Sequence, residues 1–117
     1  MKSLNKDKNK INRKGEKVGL WESYWDNGQI GFRGLYKNNK QEGIWESYWE
    51  NGQLRSKGLY VNGYMEGIWE WYNELGGMSI RGSFSGSEKN GIWEYYTENG
   101  EIEMKCLYEN GVPIKEL

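Results

Sequence analysis

Apolar and polar positions alternate along most of the chain, and no stretch keeps the three- and four-residue spacing of an amphipathic helix. A segment such as Ile44-Trp45-Glu46-Ser47-Tyr48-Trp49 reads as a β-strand bounded by glycine and asparagine. The pattern then recurs. Gly-Leu-Trp-Glu at 19–22 returns as Gly-Ile-Trp-Glu at 43–46, 67–70 and 91–94, each copy 24 residues after the last. A tyrosine follows three residues after each tryptophan, at Tyr24, Tyr48, Tyr72 and Tyr96, and an aliphatic residue follows the next turn, at Ile30, Leu54, Met78 and Ile102. The units close on Gly34-Leu35-Tyr36, Gly58-Leu59-Tyr60, Gly82-Ser83-Phe84 and Cys106-Leu107-Tyr108.

Turn signals punctuate this repeat. Asn27-Gly28, Asn51-Gly52, Leu75-Gly76 and Asn99-Gly100 lie within units, and Asn38-Asn39, Asn62-Gly63, Gly86-Ser87 and Asn110-Gly111 lie between them. Asn-Gly predicts a two-residue type I′ hairpin turn, because both central residues need positive φ and Asn and Gly tolerate it best. Two turns per unit leave strands of roughly seven to nine residues, about eight or nine strands in all. The expected fold is all-β: a single-layer antiparallel β-meander of four tandem 24-residue hairpin repeats, flat or curled. Residues 1–14 form a basic, partly disordered N-terminal tail, 15–113 the repeat domain and 114–117 a C-terminal tail.

A two-residue turn at Asn51-Gly52 sets a register that can be checked for sense. It pairs Glu50 with Gln53 beside the turn, and Trp49 with Leu54, Ser47 with Ser56 and Trp45 with Gly58 on one face. On the other it pairs Tyr48 with Arg55, Glu46 with Lys57 and Ile44 with Leu59. The same rule sets Glu22 against Arg33, Glu70 against Arg81 and Glu94 against Lys105, so every unit places an acid opposite a base. It also lays Trp21, Trp45 and Trp69 over Gly34, Gly58 and Gly82, where an indole supplies the packing that glycine lacks.

The pattern Gly-x-Trp-x-x-Tyr-x-x-Asn-Gly-Gln-Leu followed by Gly-x-Tyr-x-Asn-Gly, plainest at 43–63, resembles the MORN-variant repeat found in the bacterial YwqK-type antitoxin family. The resemblance runs over about 12–113. It implies a repeat module that acts by binding, with predicted antitoxins and immunity proteins of toxins among its carriers. Unit three departs from it at Leu75-Gly76-Gly77 and Gly86-Ser87, and unit four carries Cys106 where the others have glycine. These departures suggest a modified turn and a terminal capping unit.

Comparing the copies separates packing from recognition. Trp21, Trp45, Trp69, Trp93, Tyr24, Tyr48, Tyr72 and Tyr96 are constant and read as structural ladders. The second position after each tryptophan varies (Ser23, Ser47, Trp71, Tyr95), as does the fourth (Trp25, Trp49, Asn73, Thr97) and the paired strand (Phe32, Ser56, Ile80, Met104). All share the tryptophan face in this register. Trp25, Trp49, Trp71, Tyr95 and Phe32 are therefore candidate partner-binding residues, with Tyr64 beside an inter-unit turn. The alternative is a sheet curled so that Trp25, Trp49 and Trp71 fill its own core.

Composition narrows the chemistry. The chain has 117 residues, seven Trp, nine Tyr and a mean hydropathy of −0.99, so aromatic rings must supply most of the buried area. It has no histidine and one cysteine, Cys106, which excludes an internal disulfide and leaves no Cys/His metal set, no His-based nucleophile and no expected cofactor. Glycines follow turn spacing and make no phosphate loop. No apolar run spans a membrane and none forms a signal peptide, which points to a cytoplasmic protein. Beyond residue 14 there are ten bases against sixteen acids, the wrong balance for a nucleic-acid binder and the right one for a basic partner. The expectation is a non-enzymatic protein-binding module, the antitoxin or immunity partner of a basic toxin. A self-associating structural component and carbohydrate binding through exposed tryptophan are the second and third readings.

Overall fold

The computed structural model describes residues 8–117. Strands follow in chain order: β1 (Lys10–Ile11), β2 (Lys17–Tyr24), β3 (Ile30–Lys37), β4 (Lys40–Tyr48), β5 (Leu54–Val61), β6 (Tyr64–Tyr72), β7 (Met78–Ser85), β8 (Glu88–Lys89), β9 (Gly91–Tyr96), β10 (Ile102–Glu109) and β11 (Val112–Glu116). They form one antiparallel meander in sequence order with no helix among the described residues, the all-β single layer expected from the repeat. It is not closed into a barrel, and the slab measures 50 × 31 × 16 Å. The described residues form eleven strands rather than eight or nine, because short β1 and β11 flank the repeats and unit four's first strand breaks at Asn90 into β8 and β9. The sheet thus reaches beyond 15–113 on both sides. Residues 1–7 of the expected tail lie outside the described residues.

The register through the middle of each hairpin is the expected one. Trp45 pairs with Gly58, Glu46 with Lys57 and Ser47 with Ser56, and the same pairs recur in the other units. Near the hairpin turn it differs. The Gly52 N–H donates to the Trp49 carbonyl at 2.9 Å and the Trp49 N–H to the Gln53 carbonyl at 2.8 Å, which makes a three-residue loop. Only glycine takes positive φ there (Gly28 89°, Gly52 89°, Gly76 96°, Gly100 86°). The Asn51 side chain accepts the Gln53 N–H at 2.9 Å and stabilises this form, a type I turn with a glycine bulge. Tyr48 consequently pairs with Leu54, not Arg55, and Trp49 meets Gln53, not Leu54. Arg55 bulges out, and the Tyr48 ring faces the aliphatic Leu54 instead of a guanidinium. The type I′ form does occur between units, where both residues of Asn38-Asn39, Asn62-Gly63, Gly86-Ser87 and Asn110-Gly111 have positive φ.

The tryptophans correct a second expectation. Trp21, Trp45 and Trp69 pair with Gly34, Gly58 and Gly82 of their own hairpins, as expected, but the rings of Trp45, Trp69 and Trp93 lie on the glycine of the preceding unit. A Cβ built on Gly34 would overlap the Trp45 ring, one on Gly58 the Trp69 ring and one on Gly82 the Trp93 ring. A register shift makes this possible: Arg33 pairs with Glu46 and Leu35 with Glu42, so residues 43–45 stand opposite Gly34 alone. Gly43 takes the positive φ (83°) that this irregularity needs. The Trp45 indole N–H then donates to the Leu35 carbonyl at 3.0 Å, Trp69 to Leu59 at 3.1 Å and Trp93 to Ser83 at 2.9 Å. Trp45, Trp69 and Trp93 are 5%, 4% and 1% exposed and, with Cys106, make up the buried core. Cys106 takes the glycine position of unit four, where position 117 is leucine rather than tryptophan.

Glycine to alanine in a strand ordinarily gains about 0.5–1 kcal/mol. At Gly34 and Gly58 the overlap reverses the sign, and each substitution to alanine costs about 1–3 kcal/mol. Cys106→Ala, where no indole intrudes, stays within about 1 kcal/mol. Urea unfolding followed by tryptophan fluorescence measures the contrast.

Candidate binding groove on the aromatic face

The two faces of the sheet carry different chemistry. On one, rings alternate along the repeat axis: Trp21, Tyr36, Trp45, Tyr60, Trp69, Phe84, Trp93 and Tyr108, neighbours 5.0–6.4 Å apart and near perpendicular. Edge-to-face packing suits the ring quadrupoles and replaces the second layer that most sheets require.

Beside this ladder runs the variable row, Ser23, Phe32, Ser47, Ser56, Trp71, Ile80, Tyr95 and Met104, each paired with the next. Its side-chain sizes decide where the face is open. Trp71 packs on both Trp69 (6.0 Å) and Trp93 (5.7 Å) and fills units three and four. In unit two the two serines, hydrogen-bonded to each other, leave a groove of about 270 Å³. Phe32, Tyr36, Trp45, Tyr60 and Trp69 line it, with Gln41 and Arg55 as polar neighbours. A smaller cleft of about 210 Å³ adjoins it between Phe32, Trp25 and Arg55. The bulge places Arg55 here, its guanidinium 5.3 Å from the Trp49 ring and its Nε donating to Ser47 Oγ at 3.3 Å.

The sequence-chosen candidates are distributed unevenly around this opening. Phe32 lines it, Trp25 lines the adjoining cleft, and Trp71 and Tyr95 continue the row. Trp25 and Trp49 also join units, donating their indole N–H to the Tyr48 and Tyr72 carbonyls, each at 3.0 Å. Asn73 takes this position in unit three and bonds instead to its own turn. Tyr64, 57% exposed, pairs with Val61 on the opposite face. Gln41, Ser47, Ser56 and Arg55 also line the opening and are not among these candidates. The serines signalled themselves as the small members of an aromatic row, whereas Arg55 depends on the bulge.

The opposite face carries the constant tyrosines and an alternating charge row. Glu22–Arg33, Glu46–Lys57 and Glu94–Lys105 approach to 3.7 Å and Glu70–Arg81 to 3.2 Å. Arg33, Lys57 and Arg81 also pair in register with the next unit's acid. Tyr48, Tyr72 and Tyr96 donate to Glu46, Glu70 and Glu94 at 2.7–2.9 Å. In unit one Glu22 accepts from both Lys8 and Tyr24. Burial alone would raise its carboxyl, but these bonds and the nearby positive charges hold it below its ordinary value. An acidic rim lines the hairpin-turn edge, where Asp26, Glu50, Glu74 and Glu98 are all exposed. Among the described residues no His, Cys, Asp or Glu cluster could hold a metal, and no helix is long and apolar enough to cross a membrane.

The MORN repeat variant family matches residues 17–38, 41–62 and 89–117, more than half of the chain. The chain belongs to the MORN repeat variant family. The matched stretches are the first, second and fourth hairpins. Unit three is unmatched, yet its Gly67–Phe84 through Tyr72–Met78 pairs repeat those of its neighbours. A comparison with curated proteins finds no match. MORN-repeat proteins are generally non-catalytic binding modules, which directs attention to the groove.

The tyrosine hydroxyls give a titration test. Burial and then the glutamate acceptor push the Tyr48 and Tyr72 phenols above the ordinary 10.0; in Tyr96 the Glu94 bond leads. A raised phenol favours folding below pH 10.0, and that contribution falls as pH rises through the folded value. Stability should therefore decline above pH 10, and Glu46→Gln should move part of the phenolate absorbance to lower pH. Alkaline titration of absorbance alongside urea midpoints checks both.

Proposed function

We propose that this MORN-repeat chain is a protein-binding module that receives part of a basic partner in the groove over Trp45, as an antitoxin or immunity protein receives its toxin. The observation that carries the reading is the groove: aromatic walls opened by Ser47 and Ser56 in a row otherwise filled by large side chains. Its volume, about 270 Å³, is below the roughly 300–1,000 Å³ of small-molecule sites, a size for a protruding side chain. The floor rings Trp45 and Trp69 are 5% and 4% exposed, which favours insertion between rings over a sugar stacked on an open one. The acidic rim beside Trp25 and Trp49 supports a basic partner by steering its approach.

A second reading, self-association, is favoured by Leu35, Ile44, Ile68 and Ile92. They recur on the charged face at 49–54% exposure. Edge-to-edge pairing has less support: β1 has two residues, and β11 carries Pro113, which lacks an N–H.

The repeat supplies its own test. Ser47→Trp with Ser56→Ile copies Trp71 and Ile80 of unit three into unit two, so the fold has a native precedent for the filled groove. The expected result is an unchanged strand signal and loss of partners captured by the wild type from native lysate. Equal capture by both proteins sinks the groove, and a recovered partner with no toxin activity sinks the antitoxin assignment.

A further inference from the structure

Four positions before each tryptophan stand Lys17, Gln41, Met65 and Lys89. In units one and four the lysine ammonium lies over the ladder rings. Lys17 Nζ is 4.9 Å from the Trp21 ring and 5.1 Å from Tyr36. Lys89 Nζ is 4.7 Å from Trp93 and 4.8 Å from Tyr108, and donates to Tyr95 Oη at 3.4 Å. The ring faces of this ladder therefore already hold cations at two of its four sites, as the aromatic quadrupole favours. In unit three an apolar residue, Met65, takes this position, paired with Tyr60, and Trp71 and Ile80 fill the adjacent row. Unit two is different. It keeps the Trp45–Tyr60 pair, puts neutral Gln41 where the lysines stand, and opens the row with Ser47 and Ser56.

We propose that the unit-two groove is a subsite for a cationic side chain, lysine or arginine, presented by a basic protein partner; this rests on reading the groove as a protein-binding site. The incoming ammonium or guanidinium takes the place over Trp45 and Tyr60 that Lys17 and Lys89 fill in their own units. Ser47 and Ser56 offer hydroxyl acceptors, Phe32, Tyr36 and Trp69 exclude water, and the rim of Asp26, Glu50 and Glu74 raises the local concentration of cations. One feature opposes it. Arg55 stands at the edge, its guanidinium engaged with Trp49 and its Nε with Ser47. A like charge there weakens the site, and this gives the proposal a sign that an anion site would reverse.

The test titrates the full chain with a capped glycine-serine peptide carrying one central lysine, and with its glutamate counterpart, following the Trp45 and Trp69 indole N–H resonances. The lysine peptide should shift them and the glutamate peptide should not. Gln41→Lys, which installs the residue native to units one and four, should weaken the lysine peptide about tenfold or more. Arg55→Gln should tighten it roughly two- to fivefold. A preference for the glutamate peptide, no response to the lysine peptide, indifference to Gln41→Lys or weakening by Arg55→Gln each overturns the cation subsite. The groove reading fails separately, if the Ser47→Trp/Ser56→Ile protein captures the same partners as wild type.

Discussion

The fold depends on an indole lying flat on a glycine of the neighbouring repeat. A single-layer sheet has no second layer against which to bury a face. Here the rings of one unit cover the backbone of the unit before it, and the bare Cα of Gly34, Gly58 or Gly82 is what lets them approach. The other irregularities serve that contact. The shift at residues 43–45, the left-handed Gly43 and the Trp45 bond to the Leu35 carbonyl together lift the ring sideways across the strand gap. At Cys106 no such ring intrudes, and a side chain is accommodated.

Once the ladder holds the sheet, the row beside it is free to vary. Its serines open unit two and its tryptophan closes unit three, so one scaffold carries both an open and a filled version of the same site. The charged face is more uniform: acids and bases alternate, and each acid is also held by a tyrosine two residues on. Uniformity on one face and variation on the other is what a binding repeat needs, with stability and recognition assigned to different residues.

Much of this was legible in the chain. Alternation and the 24-residue period sufficed for the meander, and a two-residue turn count sufficed for Glu46 opposite Lys57 and Trp45 opposite Gly58. What escaped the reading was direction and local irregularity. Pairing names the residue opposite Trp45 but does not say toward which neighbour a ring will lean. Asn51-Gly52 fits a two-residue type I′ turn and a three-residue type I loop, and the choice depends on the Asn51 side-chain bond and on burying Tyr48 against Leu54. Arg55 entered the groove only through that choice. Gln41 was accessible in principle, since aligning the four copies sets it beside Lys17 and Lys89; its meaning needed the ring geometry.

The lean of Trp45, Trp69 and Trp93 toward the preceding copy also separates two periodicities. The 24-residue segment that recurs in the sequence runs from one tryptophan to the next, but no such segment contains a finished core. The tryptophan of one copy completes the glycine strand of the copy before it, so the packing unit straddles the boundary between sequence repeats, out of phase with them. A lone hairpin excised at the sequence boundaries would carry a bare glycine strand and an indole with nothing beneath it. The smallest piece able to hold its own shape is therefore two adjacent copies, and duplications that lengthen such an array preserve packing only when each new tryptophan arrives beside an existing glycine.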